Sequence, residues 1–408
     1  MGLAFQAIYP VVYPVAYQLF QSGMKREKVT VKIFMEFGTL FYAPERRIDV
    51  EMIELSIKCA ENDYNNGLNL GTSGREAEDK WISRSLGNPI KDEKIKKRAF
   101  RNIEKEKIEA LIKSGWLNCD AGNGTFGGHI YPFVLVNGDN NIYEPILNDV
   151  KFYFTENNIA WWKGKEPTGH ALSSQIACIN HLFPLRNDKE AVLALLSLLP
   201  MKFVDVLKIN SDKFAPAFIS FEQISDNDLL NEGIPSRGTN CTSIDACIYA
   251  VHENGLKYIV PIEWKYTETY QNEDKGAGSS GETRHKRYDG LIEESLQLKN
   301  GEKCYYFEPF YQLMRQTLWA EQMVKNKNSE TIKADDYIHL HIIPYKNIDM
   351  LEKRYSCSNL NMCCTWRECL MNQDKYKIIS PETLFKNINN KYNDLIEYLS
   401  KRYWEDFE

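Results

Sequence analysis

The sequence has no overall basic surplus. Its 408 residues carry 50 Lys and Arg against 56 Asp and Glu, which gives a formal net charge of -6 at pH 7. A protein that coats nucleic acid by charge alone usually shows a basic surplus, so the composition argues against that class. The acidity does not exclude an enzyme whose acidic metal site faces a local basic groove. Two stretches are locally basic, residues 91–107 and 283–288.

The chain also lacks the signals of a membrane or exported protein. Its first 24 residues carry no charge, but they have no basic n-region, and Pro10 and Pro14 interrupt them. A secretory signal needs that n-region, and a membrane span needs a longer apolar run. We therefore expect no membrane contact and a cytoplasmic location, with this segment packed against the body or dispensable.

A paired-cysteine metal motif is missing as well. Four of the 10 Cys lie close together near the C-terminus (Cys357, Cys363, Cys364 and Cys369), but two of them are adjacent and no C-x-x-C pair occurs. Zinc and iron–sulfur sites generally use spaced pairs. We expect reduced thiols, which are the ordinary state of cysteine in a cytosolic protein, and no metal or cluster here.

The length predicts a main domain with additions. We place an accessory N-terminal region at 1–150, an α/β core at 151–350 and a C-terminal helical tail at 351–408. The N-terminal region is predicted to be α+β and to contact DNA. It alternates like one or two strands over 28–45, and it has helical spacing over 48–62 and 91–114.

The core pattern predicts a mixed central sheet flanked by helices. An apolar helix over 188–209, bent near Pro200, precedes three strands, a helix and a last strand. A tight turn at 253–255 makes the second and third strands a hairpin, and the helical crossover favours a parallel last strand. Residues 267–290 are predicted to be a flexible basic loop. The strands are expected at 214–223, 242–252, 256–266 and 336–346, with the crossover helix at 309–326.

The hairpin brings acidic residues together. Asp245 lies nine residues before Asn254, and Glu263 lies nine after it. The two are therefore opposite each other or within one residue of that register. Lys265 shares a strand face with Glu263. Two adjacent carboxylates repel unless a cation neutralises them, and Mg²⁺ prefers such oxygen ligands together with water and phosphate.

This arrangement resembles the PD-(D/E)XK nuclease superfamily, which has the restriction-endonuclease-like fold. The matching residues are Asp245 on the second core strand and Glu263-Trp264-Lys265 at the end of the third. The resemblance covers residues 170–346 and departs at Ile244, where the family pattern has Pro. The segments "FE" on the first strand and "EWKYTE" at the site are similar to the corresponding segments of bacterial type II restriction endonucleases.

The resemblance implies a Mg²⁺-dependent DNA endonuclease, with Mn²⁺ as a substitute ion. Asp245 and Glu263 would bind the metal, and Glu222 would either join them or be a surface residue. Lys265 would position or deprotonate the attacking water, or stabilise the developing charge. Two alternatives stay open: an exonuclease or repair-type nuclease that acts on DNA ends or structures, and a catalytically inactive DNA-binding module.

Further polar residues are candidates for DNA contact. Each could equally be ordinary surface or loop polarity, and Gln175 also suits a helix start. His339 and His341 are expected on the polar face of an edge strand near the groove. The partners expected are double-stranded DNA, a second copy of the chain by analogy with palindromic cutters, and a cognate DNA methyltransferase as functional neighbour. The DNA-contact candidates are Arg237, Arg284, Lys286, Arg287, Gln312, Arg315 and Gln175.

Overall fold

The chain divides into two compact units, Met1–Lys97 and Arg98–Glu408, in the computed structural model. The structure describes residues 99–405 except 200, 211–214 and 235–240, together with scattered positions between 12 and 65.

The described positions of the first unit are mostly helical. Residues 15–21 form a helix, and the described positions of the predicted helix 48–62 are helical too. Lys28, Val29 and Ile33 are helical where the sequence predicted a strand, and the rest of 28–45 lies outside the described residues. The buried side chains form one apolar cluster: Val12, Tyr13, Ala16, Tyr17, Phe20, Val29, Ile33, Ile53, Ile57 and Ala60.

The second unit is mixed α/β. No helix in the described part of the chain combines the length and apolar character of a membrane span. Its strands are β1 Gly124–Phe126, β2 His129–Tyr131, β3 Phe203–Leu207, β4 Ile219–Gln223, β5 Ile244–His252, β6 Lys257–Trp264, β7 Asp336–Tyr337, β8 His339–Ile342 and β9 Tyr376–Ile379. Its helices are α1 Phe100–Lys113, α2 Leu147–Glu156, α3 Ser174–Leu182, α4 Lys189–Leu196, α5 Gly278–Glu293, α6 Phe310–Lys325, α7 Ile348–Leu351, α8 Met362–Glu368, α9 Pro381–Leu384 and α10 Asn393–Leu399.

Seven strands form the central sheet. The path runs β3-β5-β6-β8-β9, with β4 also paired to β5 and β7 to β6. β5 and β6 are an antiparallel hairpin whose turn uses Gly255 at φ 85°, a conformation that glycine adopts without a steric penalty. β6, β8 and β9 are parallel. The mixed sheet and the parallel placement after the α6 crossover match the sequence prediction.

Both faces of the sheet are buried, because successive residues of a strand point to opposite sides. In β5, Ala246 and Ile248 join the apolar cluster that contains α3 and α4. Cys247 and Tyr249 join the cluster that contains α6. The alternation breaks at Asp245, because Ile244 joins the α6 cluster as well.

Three predicted elements differ from the structure. The predicted helix 188–209 is instead α4 followed by β3, because a proline at 200 cannot continue a helix and the residues after it alternate. The second half of the predicted loop 267–290 is helix α5. Its sequence is polar and has no apolar stripe at helical spacing, so the pattern did not predict a helix there. The predicted helical tail contains β9, a four-residue strand too short for its period to be read.

The two compact units meet at residues 97 and 98, and the domain boundary near residue 150 stays a prediction. Helix α1 lies in the second unit, and its buried residues pack in the same cluster as the sheet. Tyr266 follows Lys265 in the sequence, and its hydroxyl donates a hydrogen bond to Glu104 Oε2 on α1. The Phe100 ring lies edge-on to the Tyr266 ring, with the ring centroids 6.3 Å apart. Residues 91–98 of the predicted helix 91–114 lie outside the described residues.

One disulfide contradicts the expectation that the cysteines are reduced. Cys304 and Cys357 are bonded across a sequence separation of 53 residues, with their Cα atoms 5.3 Å apart. No spacing rule in the sequence points to this pair. Among the other described cysteines, Cys363, Cys364 and Cys369 are free.

Replacing Cys304 and Cys357 by serine is expected to lower the free energy of unfolding by about 2–4 kcal/mol, since the bond closes a long loop in the unfolded chain. Urea denaturation under non-reducing conditions measures the difference. Cys363→Ser, at a free cysteine, is the matched control and should unfold close to wild type. Equal midpoints for the double variant and wild type would contradict the bond.

Candidate active site

Two carboxylates lie near each other where β5 begins and β6 ends. Ala246 pairs with Ile262, and Asp245 and Glu263 are the next residues outward on the two strands. The backbone N–H of Trp264 donates to Asp245 Oδ2 at 2.8 Å. The Ala246–Ile262 pair agrees with the register that the hairpin arithmetic predicted, and the charge of Glu263 acts on Asp245.

The pKa of Asp245 reflects its burial and the nearby carboxylates. Burial raises the pKa of Asp245 well above its ordinary value, and the carboxylates of Glu263 and Glu222 raise it further. The Lys265 ammonium and the Trp264 N–H act in the opposite direction without cancelling the effect. Negative charge is thus concentrated at a partly desolvated point, where a bound cation would relieve it.

Lys265 is held between an acid and an amide. Its Nζ lies 2.5 Å from Glu263 Oε1 and donates to Gln312 Oε1 at 2.5 Å. The Nζ also lies 5.8 Å from the centroid of the Tyr270 ring. Burial would lower the pKa of Lys265, but the acidic neighbours, Glu263 foremost, raise it well above its usual range. Lys265 is therefore an ammonium in this arrangement.

A neutral polar layer lies beneath Glu263. Gln316 Nε2 donates to Glu263 Oε2, and His341 is the register partner of Glu263 on the adjacent parallel strand. Burial lowers the pKa of His339 to about 4 and that of His341 well below its ordinary value. Both imidazoles are thus neutral. The prediction of an edge strand here is wrong, because β9 pairs with the outer side of β8.

Glu222 is directed by an unusual backbone conformation. It is the penultimate residue of β4 and has φ 47°, in the left-handed region that non-glycine residues seldom adopt. Its Oε1 accepts a hydrogen bond from Gln175 Nε2 at 2.9 Å, and its Oε2 accepts one from Ser243 Oγ at 2.6 Å. Strained positions of this kind cluster at functional sites. The charge of Glu222 acts on Asp245, so Glu222 and its partner Gln175 lie near that carboxylate.

The donor set fits a hard divalent cation only when water or substrate completes its shell. In the described part of the chain, no group of three or more His, Cys, Asp and Glu side chains is arranged to hold a metal ion. Glu222 belongs to the same electrostatic cluster but is engaged with Gln175 and Ser243. Two carboxylates with water and phosphate oxygens are nevertheless a common Mg²⁺ environment.

The α6 candidates, Gln312 and Arg315, face protein groups. Gln312 accepts from Lys265, and its Nε2 donates to the Tyr270 hydroxyl at 3.4 Å. Arg315 donates through Nε and Nη2 to the buried Glu232 at 3.1 and 2.9 Å. The Tyr288 hydroxyl and the Thr242 hydroxyl donate to the same carboxylate. This cluster ties α5, α6 and the entry to β5 together.

Glu232→Ala is expected to lower the free energy of unfolding by about 3 kcal/mol, because it leaves a largely buried guanidinium without its acid. Chemical denaturation measures the loss. Glu294→Ala, which removes an exposed ion pair with Lys325, is the control and should change stability by less than about 0.5 kcal/mol. Equal losses in both variants would contradict a structural role for the Glu232 cluster.

The basic candidates of the predicted loop lie on α5. Arg284 Nη1 donates to the Lys275 carbonyl at 2.7 Å, and its guanidinium lies 5.6 Å from the Tyr311 ring centroid. Lys286 is exposed and Arg287 is half-buried. A DNA role for all three stays a prediction. Arg237 lies outside the described residues.

Sequence reasoning missed several residues of the site. Gln316, which orients Glu263, lies four residues after Gln312, so helical spacing from that candidate could have found it. Ser243 immediately precedes the Asp245 strand. Cys178 lies one turn after Gln175, and burial, followed by the charges of Asp245, Glu222 and Glu263, raises the pKa of its thiol. Nothing in the sequence marks Cys178.

Comparison with known proteins adds one match. A family model described as Restriction Endonuclease associating with ARP (REase-ARP) matches residues 101–404. That range contains the whole central sheet and every residue of the site described above. No curated protein and no solved structure matches the chain.

Proposed function

This chain belongs to the family described as Restriction Endonuclease associating with ARP, and we propose that it is a Mg²⁺-dependent endonuclease that hydrolyses phosphodiester bonds of double-stranded DNA. We assign its core to the PD-(D/E)XK superfamily. One observation carries the proposal: Asp245 and Glu263 lie at the same end of the β5–β6 hairpin, the charge of Glu263 acts on Asp245, and Lys265 Nζ lies 2.5 Å from Glu263 Oε1.

Each side chain has a role that its surroundings support. Asp245 and Glu263 would hold the metal, with Glu222 beside them. Bound Mg²⁺ would polarise the scissile phosphate and lower the pKa of a coordinated water. The raised pKa of Lys265 favours the ammonium, which suits stabilisation of developing negative charge better than removal of a proton.

Two glutamines of helix α6 hold the side chains that would carry out this chemistry. Gln312 fixes the Lys265 ammonium, and Gln316 fixes one carboxylate oxygen of Glu263. A catalytic group held by such contacts needs little reorganisation when substrate binds. In the proposal both glutamines are positioning residues, and neither has to touch DNA.

Local cations would attract the DNA backbone despite the acidic net charge. Lys286 and Arg287 on α5 follow the active hairpin in the chain, and Arg284 lies on the same helix. Phosphate contacts of this type supply affinity without sequence information. Arg237 and the basic residues of 91–98 are further candidates for phosphate contact, which we propose from the sequence alone.

The proposal is tested with supercoiled plasmid DNA and Mg²⁺. Conversion to open-circular and linear products is expected, and EDTA should abolish it. An exonuclease or repair-type nuclease would instead degrade linear DNA and leave closed circles intact. Metal-independent binding without cleavage of either substrate would favour the inactive binding module and contradict the proposal.

The restriction role adds expectations about partners. Two-fold symmetric DNA sites favour a homodimer, and a methyltransferase that protects the same site is expected as a functional neighbour. The family description names an association with ARP, which we propose for this chain as well. Light scattering of the purified protein, alone and with DNA, tests the dimer, and a monomer in both conditions would contradict it.

A further inference from the structure

A cavity of about 370 Å³ lies at the C-terminal end of the second unit. Its walls come from the turn after α1, the segment before α2, and α10 with the turn that follows it. The volume lies in the range of small-molecule sites. None of the lining residues belongs to the Asp245–Glu263 site.

Three aromatic side chains form one wall of the cavity. The Trp116 and Tyr398 rings stack with centroids 5.2 Å apart and an interplanar angle of 22°. The Tyr143 ring lies 4.7 Å from the Tyr398 ring at 41°. The faces of aromatic rings carry negative charge density, and tryptophan attracts cations most strongly. The wall therefore suits a cationic ligand.

Three carboxylates, those of Glu144, Asp394 and Glu397, share the cavity with this wall. All three residues are exposed, and within the described ranges none forms an ion pair. Burial raises the pKa of Tyr143, and the charges of Asp394 and Glu144 raise it further. The cavity is therefore electronegative, which opposes phosphate and nucleic acid and favours cations.

The protein already places one ammonium on this wall. Lys401 Nζ lies 5.2 Å from the Trp116 ring centroid, in the range of a cation–π contact. Lys401 is exposed and projects from the turn after α10. The Lys401 ammonium therefore competes with a cationic ligand for the Trp116 ring.

We propose that this cavity binds an organic cation through its alkylammonium or guanidinium group, with the aromatic wall contacting the cation and the carboxylates neutralising it. Two sources can supply such a group: a free polyamine, or a basic side chain presented by a protein partner. The proposal is independent of the nuclease activity, because it uses none of the residues assigned to hydrolysis.

The test is titration calorimetry of the full chain with three probes. Agmatine represents a free amine, N-acetyl-arginine amide represents a basic side chain, and tert-butanol is the uncharged control. We expect one or both cations to bind and tert-butanol not to bind. Tighter binding of agmatine identifies a free amine as the source, and tighter binding of N-acetyl-arginine amide identifies a side chain. Absence of binding by both cations overturns the proposal.

Three variants decide whether the cation occupies this cavity. Glu397→Gln should weaken binding by about threefold to tenfold. Lys401→Met should strengthen it by a similar factor, because the competing ammonium is removed. Glu352→Gln, at an exposed acid outside the lining, is the control and should bind like wild type. Equal affinity in wild type, Glu397→Gln and Lys401→Met would overturn the assignment, even if a cation binds elsewhere.

Discussion

Lys265→Ala is expected to slow plasmid cleavage by at least about a hundredfold, because the ammonium that would stabilise the developing charge is removed. The same change should lower the free energy of unfolding without metal by about 3 kcal/mol, since Glu263 loses its buried counter-charge. The raised pKa of Lys265 means that its stabilising charge is fully present at neutral pH. That stability is lost only as the pH rises through the raised value.

Two controls separate chemistry from folding in this experiment. Lys265→Met keeps most of the side-chain volume and should be equally inactive. Lys327→Ala removes an ion pair with Asp335, whose Oδ1 lies 2.6 Å from Lys327 Nζ, and should cleave like wild type. Circular dichroism verifies that each variant is folded at the assay temperature. Wild-type cleavage rates in Lys265→Met would remove Lys265 from the mechanism.

Asp245→Asn is expected to abolish cleavage and yet to stabilise the metal-free protein by about 1 kcal/mol. The sign follows from the pKa. Because the folded-state pKa of Asp245 is raised, the folded state gains from protonation and loses stability as the pH rises through that pKa. Neutral pH lies above the ordinary pKa of an aspartate, so Asp245 lowers the stability of the metal-free protein there, and the amide removes that loss. Thermal unfolding without metal measures the gain.

Magnesium should stabilise the wild type but not Asp245→Asn. In the wild type, bound Mg²⁺ would relieve the repulsion at Asp245 and should raise the unfolding midpoint, whereas Asp245→Asn should show little change. Asp289→Asn, at an acid that pairs with His285 on α5, is the control and should respond like wild type. Equal Mg²⁺ responses in wild type and Asp245→Asn would contradict the metal role of Asp245.

The hairpin site could be predicted because its information is local. The turn at Asn254 and Gly255 fixes the register, and counting outward from it pairs Asp245 with Glu263 without knowledge of the rest of the fold. Period-2 alternation then puts Lys265 on the same face as Glu263. The helix α6 was found from its apolar periodicity for the same reason.

The supporting contacts could not be predicted, because they join segments far apart in the chain. Gln316 meets Glu263 across 53 positions, and Arg315 meets Glu232 across 83. Whether Arg315 points at DNA or at a buried acid depends on the rotation of α6 against the sheet, which spacing does not encode. The Cys304–Cys357 bond likewise joins residues that are 53 positions apart in the chain.

The cleavage rate of Glu263→Gln on supercoiled plasmid at saturating Mg²⁺ tests the central claim most directly. Glutamine preserves the size of the side chain and an oxygen for Lys265, but it removes the charge that would hold the metal and turns its amide nitrogen toward Gln316 Nε2. We predict a rate at least about a hundredfold below wild type in a folded protein. Cleavage at the wild-type rate would contradict the assignment of Asp245, Glu263 and Lys265 as one metal-dependent hydrolytic site.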